Sequence, residues 1–141
     1  MQVRYAMSSP PVTVPPTASV RDVAFVMREL NVGSVCVTVD DRLVGVVTDR
    51  DLVTRILAPG ASSDLPVDAV MTGNPAAVEA DAGIMTAYRI MRDRRVRRVP
   101  VVGGGRLVGV VTFDDLFWLA TQELNDLADV VGSARDLTPP V

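Results

Sequence analysis

Apolar residues along this chain follow two alternating periodicities, one helical and one extended. From Val20 to Leu30 they recur every three or four residues, as on one face of an amphipathic helix, and from Ile84 to Met91 they do so again. Two β-branched runs separated by a tight turn follow each helical segment, which predicts a β-hairpin in both places. The predicted strands are residues 34–39 and 43–48 in the first hairpin, and residues 99–102 and 107–112 in the second.

Each hairpin is embedded in the same order of elements. A short extended piece (residues 12–14 and 76–78) precedes the amphipathic helix, for which Thr17 and Asp81 are suitable N-caps. A second helix is expected to begin directly after each hairpin, at Asp49 or at Phe113. The sequence therefore predicts an α/β (α+β) fold made of two β-α-β-β-α units of about 55 residues.

The two units are copies of one another. A shift of 64 residues aligns Met7 with Met71 and places the heptapeptide at 42–48 on its unchanged copy at 106–112. Between residues 7 and 52, 18 of 46 positions are identical without a gap. A unit this short buries too little surface alone, so the copies are expected to pack together with pseudo-twofold symmetry. The expected boundaries are residues 3–58 for the first repeat, 59–66 for a linker, 67–130 for the second repeat with its extended last helix, and 131–141 for a disordered tail.

The last helix of the second copy is predicted to be longer than its counterpart, and it carries two consecutive aromatic residues, Phe117 and Trp118. Neighbouring side chains on a helix point about 100° apart, so these two cannot both face one small core. The extra turns therefore either cover an exposed edge of the pair or form a contact between two protomers.

Composition removes most catalytic chemistries. The chain of 141 residues is 48% hydrophobic and 22% charged, which is enough for a core, but it has no His, and all 14 of its basic residues are Arg. Imidazole catalysis, His-ligated metals and Schiff-base chemistry are thereby excluded. The single cysteine, Cys36, lies among valines, so a buried inert thiol is expected. The sequence shows no signal peptide and no apolar span of ~20 residues, so a cytoplasmic protein without membrane contact is expected.

Charge is unevenly distributed along the chain. The net charge of −3 and the pI of about 4.8 argue against nucleic acid as the main partner. Five arginines nevertheless fall within residues 92–98, without an aromatic platform on which bases could stack. This cluster is either the solvated end of a helix or an anion site.

A Thr-x-x-Asp sequence begins the second helix of each copy, at Thr48 and Asp51 and again at Thr112 and Asp115. Backbone N–H groups at a helix N-terminus attract anions, and a carboxylate in the first turn can accept two hydrogen bonds from a ribose diol. The same spacing is also a capping pattern that needs no ligand. The residues alone leave both interpretations open.

The element order, with Gly-apolar-apolar-Thr-x-x-Asp at 45–51 and 109–115, resembles the cystathionine-β-synthase (CBS) domain, and two copies resemble a Bateman module. Residues 67–72 and 97–102 are also similar to family segments, and the resemblance covers residues 3–125. It implies an adenine nucleotide (AMP, ADP or ATP) as a regulatory ligand between the copies, with the Asp at the ribose and the Thr near the phosphate. S-adenosylmethionine or adenosine are alternative ligands.

Transferred position by position, the resemblance implies two clefts. Cleft one would be lined by Thr48, Arg50, Asp51, Ala76, Ala77, Arg97, Arg98 and Pro100. Cleft two would be lined by Val12, Thr13, Gly33, Ser34, Thr112, Asp114 and Asp115. Because guanidinium groups suit phosphate oxygens, cleft one is expected to bind the nucleotide. Cleft two is expected to be weak, empty, or occupied by a ligand with little negative charge.

The favoured function is a stand-alone regulatory module without catalytic activity, which senses the nucleotide and signals to an unknown protein partner in trans. The family habit also implies a homodimer. One alternative is a ligand-free structural or interaction protein that keeps the CBS fold. A second alternative is a nucleotide hydrolase whose metal would be held by Asp49, Asp51, Asp114 and Asp115, which is disfavoured because the two pairs lie in different copies.

Overall fold

The turn residues fix both hairpins. In a computed structural model that describes residues 1–136, Asp40 and Asp41 in one turn and Gly104 and Gly105 in the other all have positive φ, as tight hairpin turns require. Repeat one (residues 3–58) contains β1 (Thr13–Val14), α1 (Val20–Leu30), β2 (Ser34–Val39), β3 (Arg42–Thr48) and α2 (Asp49–Leu52), which continues as a π-helical turn, Val53–Leu57. Repeat two (residues 67–136) has β4 (Thr72–Gly73) as its first strand. It continues with β5 (Val78–Glu79), α3 (Ile84–Arg94), β6 (Arg98–Gly103), β7 (Arg106–Thr112) and α4 (Phe113–Asp136). The predicted β-α-β-β-α order is confirmed in both repeats.

The strands form two sheets, ordered β1-β2-β3-β4 and β5-β6-β7. β1 is parallel to β2 and β5 is parallel to β6, whereas each hairpin is antiparallel. Both hairpins have a register shift at the equivalent place, after Val37 and after Val101. The hairpin tips meet where the Leu107 N–H donates to the Asp41 carbonyl oxygen over 2.8 Å. The copies therefore share their irregularities as well as their regular elements.

The helix starts differ from the sequence prediction. The N-caps of α1 and α3 are Ser19 and Gly83, two residues later than the predicted Thr17 and Asp81. Both cap residues are extended because each forms an isolated β-bridge to the segment that leads into the other repeat, and this pairing keeps the chain from turning earlier. The Ser19 side chain accepts a hydrogen bond from the Asp22 N–H, so the favourable cap is this serine.

Each repeat begins with a segment that packs on the other repeat. Val3 is fully buried in the core of repeat two, and its N–H donates to the Ala82 carbonyl oxygen over 2.8 Å. Val67 is likewise fully buried in the core of repeat one, and its N–H donates to the Ala18 carbonyl oxygen over 2.7 Å. Since each core is completed by apolar residues from the other copy, the two repeats form one folding unit.

The exchanged segments cross β3 and β7 at a glycine. A Cβ atom at Gly109 would lie 2.7 Å from the Ser8 carbonyl oxygen and 2.8 Å from the Met7 Sδ atom. A Cβ atom at Gly45 would collide with the side chain of Met71. The glycine of the repeated motif therefore permits close approach of the exchanged segment, independently of any ligand.

The last helix, α4, extends beyond both cores. It continues to Asp136, so residues 131–136, which were expected in a disordered tail, are helical, and residues 137–141 lie outside the described residues. Leu124, Leu127 and Val131 on the extra turns are 67%, 63% and 51% exposed, so these turns do not cover an edge of the pair in the described chain, and that interpretation is wrong; Phe117 and Trp118, nearer the start of the helix, are 63% and 64% exposed. Neither α4 nor any other helix in residues 1–136 combines the length and hydropathy needed to cross a membrane.

Candidate functional site

A cavity of about 280 Å³ lies between the two repeats. Repeat one contributes Ser8, Pro10, Pro11, Val12, Asn31, Val32, Gly33, Ser34 and Cys36, and repeat two contributes Arg98, Val110 and Thr112. Four of the residues expected in cleft two, Val12, Gly33, Ser34 and Thr112, are thus brought together at one cavity. The cavity is called cleft two below.

The exchanged N-terminal segment forms one side of cleft two. Ser8 and Val110 exchange two backbone hydrogen bonds, of 2.9 and 3.1 Å, which hold the following Pro10–Val12 stretch against β7. On the other side, α1 ends at Asn31 in the left-handed conformation, and the chain turns there into β2 past Val32 and Gly33. The sequence did not indicate Pro10, Asn31 or Val32, because they enter the site only through the packing of one repeat on the other.

Arg98 lines cleft two, not cleft one as the sequence suggested. The reason is strand register: Arg98 at the start of β6 pairs directly with Thr112 at the end of β7. Residues opposite each other in an antiparallel pair share one face of the sheet, so these two side chains belong to the same wall. A Cβ atom at Gly33 would lie 2.9 Å from a guanidinium nitrogen of Arg98, so the glycine leaves room for this side chain to reach across from repeat two. The predicted hairpin register could have revealed this pairing.

Arg97 and Asp114, which were expected in different clefts, form an ion pair within repeat two. Their Nη2 and Oδ1 atoms are 2.9 Å apart, and the Arg97 guanidinium lies 4.7 Å from the centre of the Phe113 ring. Both side chains are more than two-thirds exposed, so this pair contributes little to stability. Neither residue lines cleft two.

The Thr-x-x-Asp sequence of repeat one is a complete capping box. The Asp51 N–H donates to Thr48 Oγ1 over 3.1 Å, and the Thr48 N–H donates to Asp51 Oδ2 over 2.9 Å. The other carboxylate oxygen of Asp51 lies 3.7 Å from the Arg55 guanidinium, which also donates to the Val70 carbonyl oxygen over 2.6 Å. Both oxygens of Asp51 are therefore engaged within the protein.

Repeat two keeps only half of this arrangement. The Asp115 N–H donates to Thr112 Oγ1 over 3.1 Å, but within residues 1–136 the Asp115 carboxylate accepts no hydrogen bond and forms no ion pair. The position equivalent to Arg55 is Leu119, which cannot hold a carboxylate. Asp115 is half-buried and does not itself line cleft two, but its N–H contacts Thr112, which does, and its carboxylate has unused acceptor capacity.

The remaining residues expected at the clefts occupy less distinctive places. Thr13 is exposed on β1, and Arg50 is exposed on α2 with no ion pair in the described chain. Ala76 and Ala77 are half-buried just before β5, and Pro100 is buried on β6. None of these residues lines cleft two.

Cys36 lies on the wall of cleft two and is 4% exposed, as the sequence predicted for a buried thiol. Burial raises the pKa of this thiol to about 11, so it stays protonated at neutral pH. A neutral thiol is a weak nucleophile, and the side chain serves as part of an apolar wall. No group of side chains in residues 1–136 has the composition and geometry to hold a metal ion.

Known proteins are similar to this chain in both sequence and fold. The family model of the CBS domain matches residues 3–58 and 67–120. The CBS domain-containing protein YhcV of Bacillus subtilis is 32% identical over 114 residues, which cover 81% of each chain.

Solved structures are also similar to this chain in three dimensions. CBS domain protein PAE2072 from Pyrobaculum aerophilum, complexed with AMP, is 31% identical with a TM-score of 0.77, covering 86% of this chain and 99% of that one. CBSX2 in complex with AMP is 29% identical with a TM-score of 0.75, covering 86% and 96%. With two matched segments and the β-α-β-β-α order in each, the chain belongs to the CBS domain family and carries two CBS domains in tandem.

Proposed function

We propose that this chain is a regulatory module that binds an adenine nucleotide in cleft two and catalyses no reaction. The observation that carries the proposal is that Arg98 and Thr112 line one cavity shared by both repeats, while the Asp115 N–H donates to Thr112 Oγ1 and the Asp115 carboxylate is left unengaged in the described chain. A cation, a hydroxyl and a carboxylate in one place match the phosphate and the ribose diol of a nucleotide.

Each part of a nucleotide has a candidate partner. Arg98 is the cation for the phosphate, and Asp115 is the acceptor for the ribose hydroxyls. The apolar wall formed by Val12, Val32 and Cys36 suits the adenine ring. Gly33 has no side chain, which allows the Arg98 guanidinium to lie close to the backbone of repeat one at this cleft.

The size of the cleft and the relatives both favour a mononucleotide. A cavity of about 280 Å³ is slightly smaller than the ~300–1,000 Å³ typical of small-molecule sites. PAE2072 and CBSX2 carry AMP in their solved structures. AMP is therefore the first ligand to test, with ADP, ATP, adenosine and S-adenosylmethionine as comparisons.

Cleft one is proposed as the weaker site, which reverses the sequence-based ranking. One Asp51 oxygen accepts a hydrogen bond from the Thr48 N–H, and the Arg55 guanidinium lies 3.7 Å from the other, so a ribose would have to compete with both contacts. Of the three arginines assigned to cleft one, Arg97 pairs with Asp114 and Arg98 lines cleft two. Arg50 alone remains as a cation for that cleft.

Isothermal titration calorimetry with AMP tests this ranking. Arg98→Ala is expected to weaken AMP binding about 10- to 100-fold, because a charge-assisted hydrogen bond contributes about 1.5–3 kcal/mol. It should leave adenosine binding nearly unchanged, because adenosine has no phosphate. Arg97→Ala is the matched control and is expected to change AMP affinity less than twofold.

The two aspartates give a second readout. Asp115→Asn is expected to weaken both AMP and adenosine, since both ligands have the ribose diol, whereas Asp51→Asn should leave them unchanged. If Asp51→Asn abolishes binding and Asp115→Asn does not, the nucleotide binds in cleft one and the proposal is wrong. If no adenine compound binds or shifts the thermal unfolding midpoint, the ligand-free interaction protein is the better description; a ligand at 100 times its Kd should add about 2.7 kcal/mol.

Signalling to a protein partner in trans and the homodimeric state are the finer parts of this proposal. Because the cleft walls come from both repeats, a ligand that prefers one relative geometry of the repeats shifts the population toward that geometry. A partner that contacts both repeats would detect this change. The exposed aromatic pair on α4, Phe117 and Trp118, is the candidate contact surface between protomers.

A further inference from the structure

The wall of cleft two offers very little positive charge. Arg98 is the only charged side chain among the residues that line this cavity in the described chain. It is exposed, and within residues 1–136 its side chain forms no hydrogen bond and no ion pair. A ligand phosphate would therefore contact one guanidinium group, and the lining offers no second cation for further negative charge.

A carboxylate of repeat one lies next to this guanidinium. A Cβ atom at Gly33 would lie 2.9 Å from Arg98 Nη2 and 3.2 Å from Asp49 Oδ2, so the two charged groups approach the same point from different repeats. They are therefore within about 6 Å of each other, a distance over which opposite charges interact. The Asp49 N–H donates to the Gly33 carbonyl oxygen over 3.0 Å, which holds the backbone of Asp49 in this place. Asp49 does not line the cavity itself, but it acts on the cation that does.

One oxygen of the Asp49 carboxylate is unengaged. Its Oδ1 atom accepts a hydrogen bond of 2.8 Å from the Arg50 N–H. Its Oδ2 atom, the one near Arg98, accepts no hydrogen bond and forms no ion pair within residues 1–136. A negative charge that no other side chain of the described chain balances thus stands beside the single cation of cleft two.

The fold alone does not require an acidic side chain at this position. In repeat two the residues equivalent to Gly33 and Asp49 are Arg97 and Phe113. The backbone contact is the same in both repeats, because the Phe113 N–H donates to the Arg97 carbonyl oxygen over 2.7 Å. The side chain is different, since an aromatic ring replaces the carboxylate. The carboxylate of Asp49 is therefore specific to repeat one and is not explained by the hydrogen bond that its backbone makes.

We propose that Asp49 sets the charge selectivity of cleft two, so that the site binds nucleoside monophosphates and binds di- and triphosphates poorly. This role of Asp49 rests on the proposed function, which places the ligand phosphate at Arg98. Together the guanidinium and the carboxylate carry no net charge. The first phosphate competes with Asp49 for the guanidinium, and each further phosphate brings negative charge toward the carboxylate with no cation to balance it. Adenosine has no phosphate, so Asp49 does not affect its binding.

Isothermal titration calorimetry with adenosine, AMP, ADP and ATP, in a buffer without divalent cations, tests this role. The wild type is expected to bind AMP at least ~10-fold more tightly than ATP. Asp49→Asn removes the negative charge and keeps an oxygen that can accept from the Arg50 N–H. This variant is expected to bind ATP about five- to tenfold more tightly than the wild type and AMP only about twofold more tightly, with adenosine unchanged. Asp49→Ser also removes the charge and is expected to change the affinity ratios in the same direction.

The matched control is Asp22→Asn, which makes the same change in net charge elsewhere on repeat one. Asp22 is exposed in the first turn of α1, whereas the other end of that helix, at Asn31, lines cleft two. Its substitution is expected to leave all four affinities unchanged.

The outcomes distinguish the role of Asp49 from the proposed function. If the wild type binds AMP and Asp49→Asn keeps the wild-type ratio of AMP affinity to ATP affinity, the nucleotide site is correct and Asp49 does not set its selectivity. The same conclusion follows if the wild type binds ATP as tightly as AMP. If no adenine compound binds the wild type, the proposed function is wrong and the role of Asp49 is wrong with it.

Discussion

The two repeats share 18 of 46 aligned residues and the same β-α-β-β-α order, yet the carboxylates of their Thr-x-x-Asp sequences make different contacts. In repeat one, Asp51 closes a capping box and contacts Arg55, whereas in repeat two Asp115 is left with free acceptor capacity. One residue a helical turn later, Arg55 or Leu119, accounts for much of the contrast. The same motif therefore forms a complete capping box in repeat one and leaves its carboxylate unengaged in repeat two.

The glycine of the motif gives the largest expected contrast between the repeats. Gly109→Ala pushes a Cβ atom against the Ser8 carbonyl oxygen, which is backbone, whereas Gly45→Ala meets only the flexible side chain of Met71. We expect Gly109→Ala to lower the unfolding free energy by about 3 kcal/mol and Gly45→Ala to lower it by about 1 kcal/mol, which is the range found for overpacking. Thermal unfolding followed by circular dichroism measures both, and equal losses would contradict the assigned difference.

A smaller contrast concerns alkaline pH. Repeat one has Cys36 where repeat two has Pro100, and burial raises the pKa of the Cys36 thiol to about 11 from 9.0. The unfolded thiol ionises first, so the folded state holds more protons between pH 9 and 11 and loses stability as the pH rises through that window. The loss should reach about 2 kcal/mol at the upper end. The unfolding free energies of wild type and Cys36→Ala, measured by urea titration, should depend on pH in the same way below pH 9 and differently above it. Parallel pH profiles over the whole range would show that the thiol does not cause the alkaline loss of stability.

The smallest expected effects come from exchanging Arg55 and Leu119, the residues one helical turn after Asp51 and Asp115. These two changes test the contrast between the two carboxylates directly. Arg55→Leu removes the hydrogen bond to Val70 and should cost about 1 kcal/mol of stability, as measured by urea unfolding.

The reverse change, Leu119→Arg, places a guanidinium one turn after Asp115 and should weaken AMP binding about three- to fivefold by engaging that carboxylate. Leu119→Met is the matched control, since it keeps an apolar side chain against the core of repeat two. Unchanged AMP affinity in Leu119→Arg would separate Asp115 from the ligand.

Local patterns predicted most of the fold because the interactions that form it are local. The spacing in α1 and α3, the β-branched hairpin strands and the turn residues Asp40 and Gly104 each act within a few residues. The helix starts at Ser19 and Gly83 were missed because a distant segment pairs there and delays each helix. The site was predicted in part: Val12, Gly33, Ser34 and Thr112 do line one cavity.

The sequence by itself determined that the chain is a duplication, which elements each copy contains, and that catalysis by His, Lys or a metal cluster of cysteines is excluded. Only the tertiary structure decided that Val3 and Val67 exchange cores, that Arg98 stands beside Thr112, and that Asp51 is engaged while Asp115 is not. These facts depend on which atoms compete for each carboxylate and guanidinium across the interface of two nearly identical units. Identical local sequences cannot encode that competition, because its outcome is set by residues far apart in the chain.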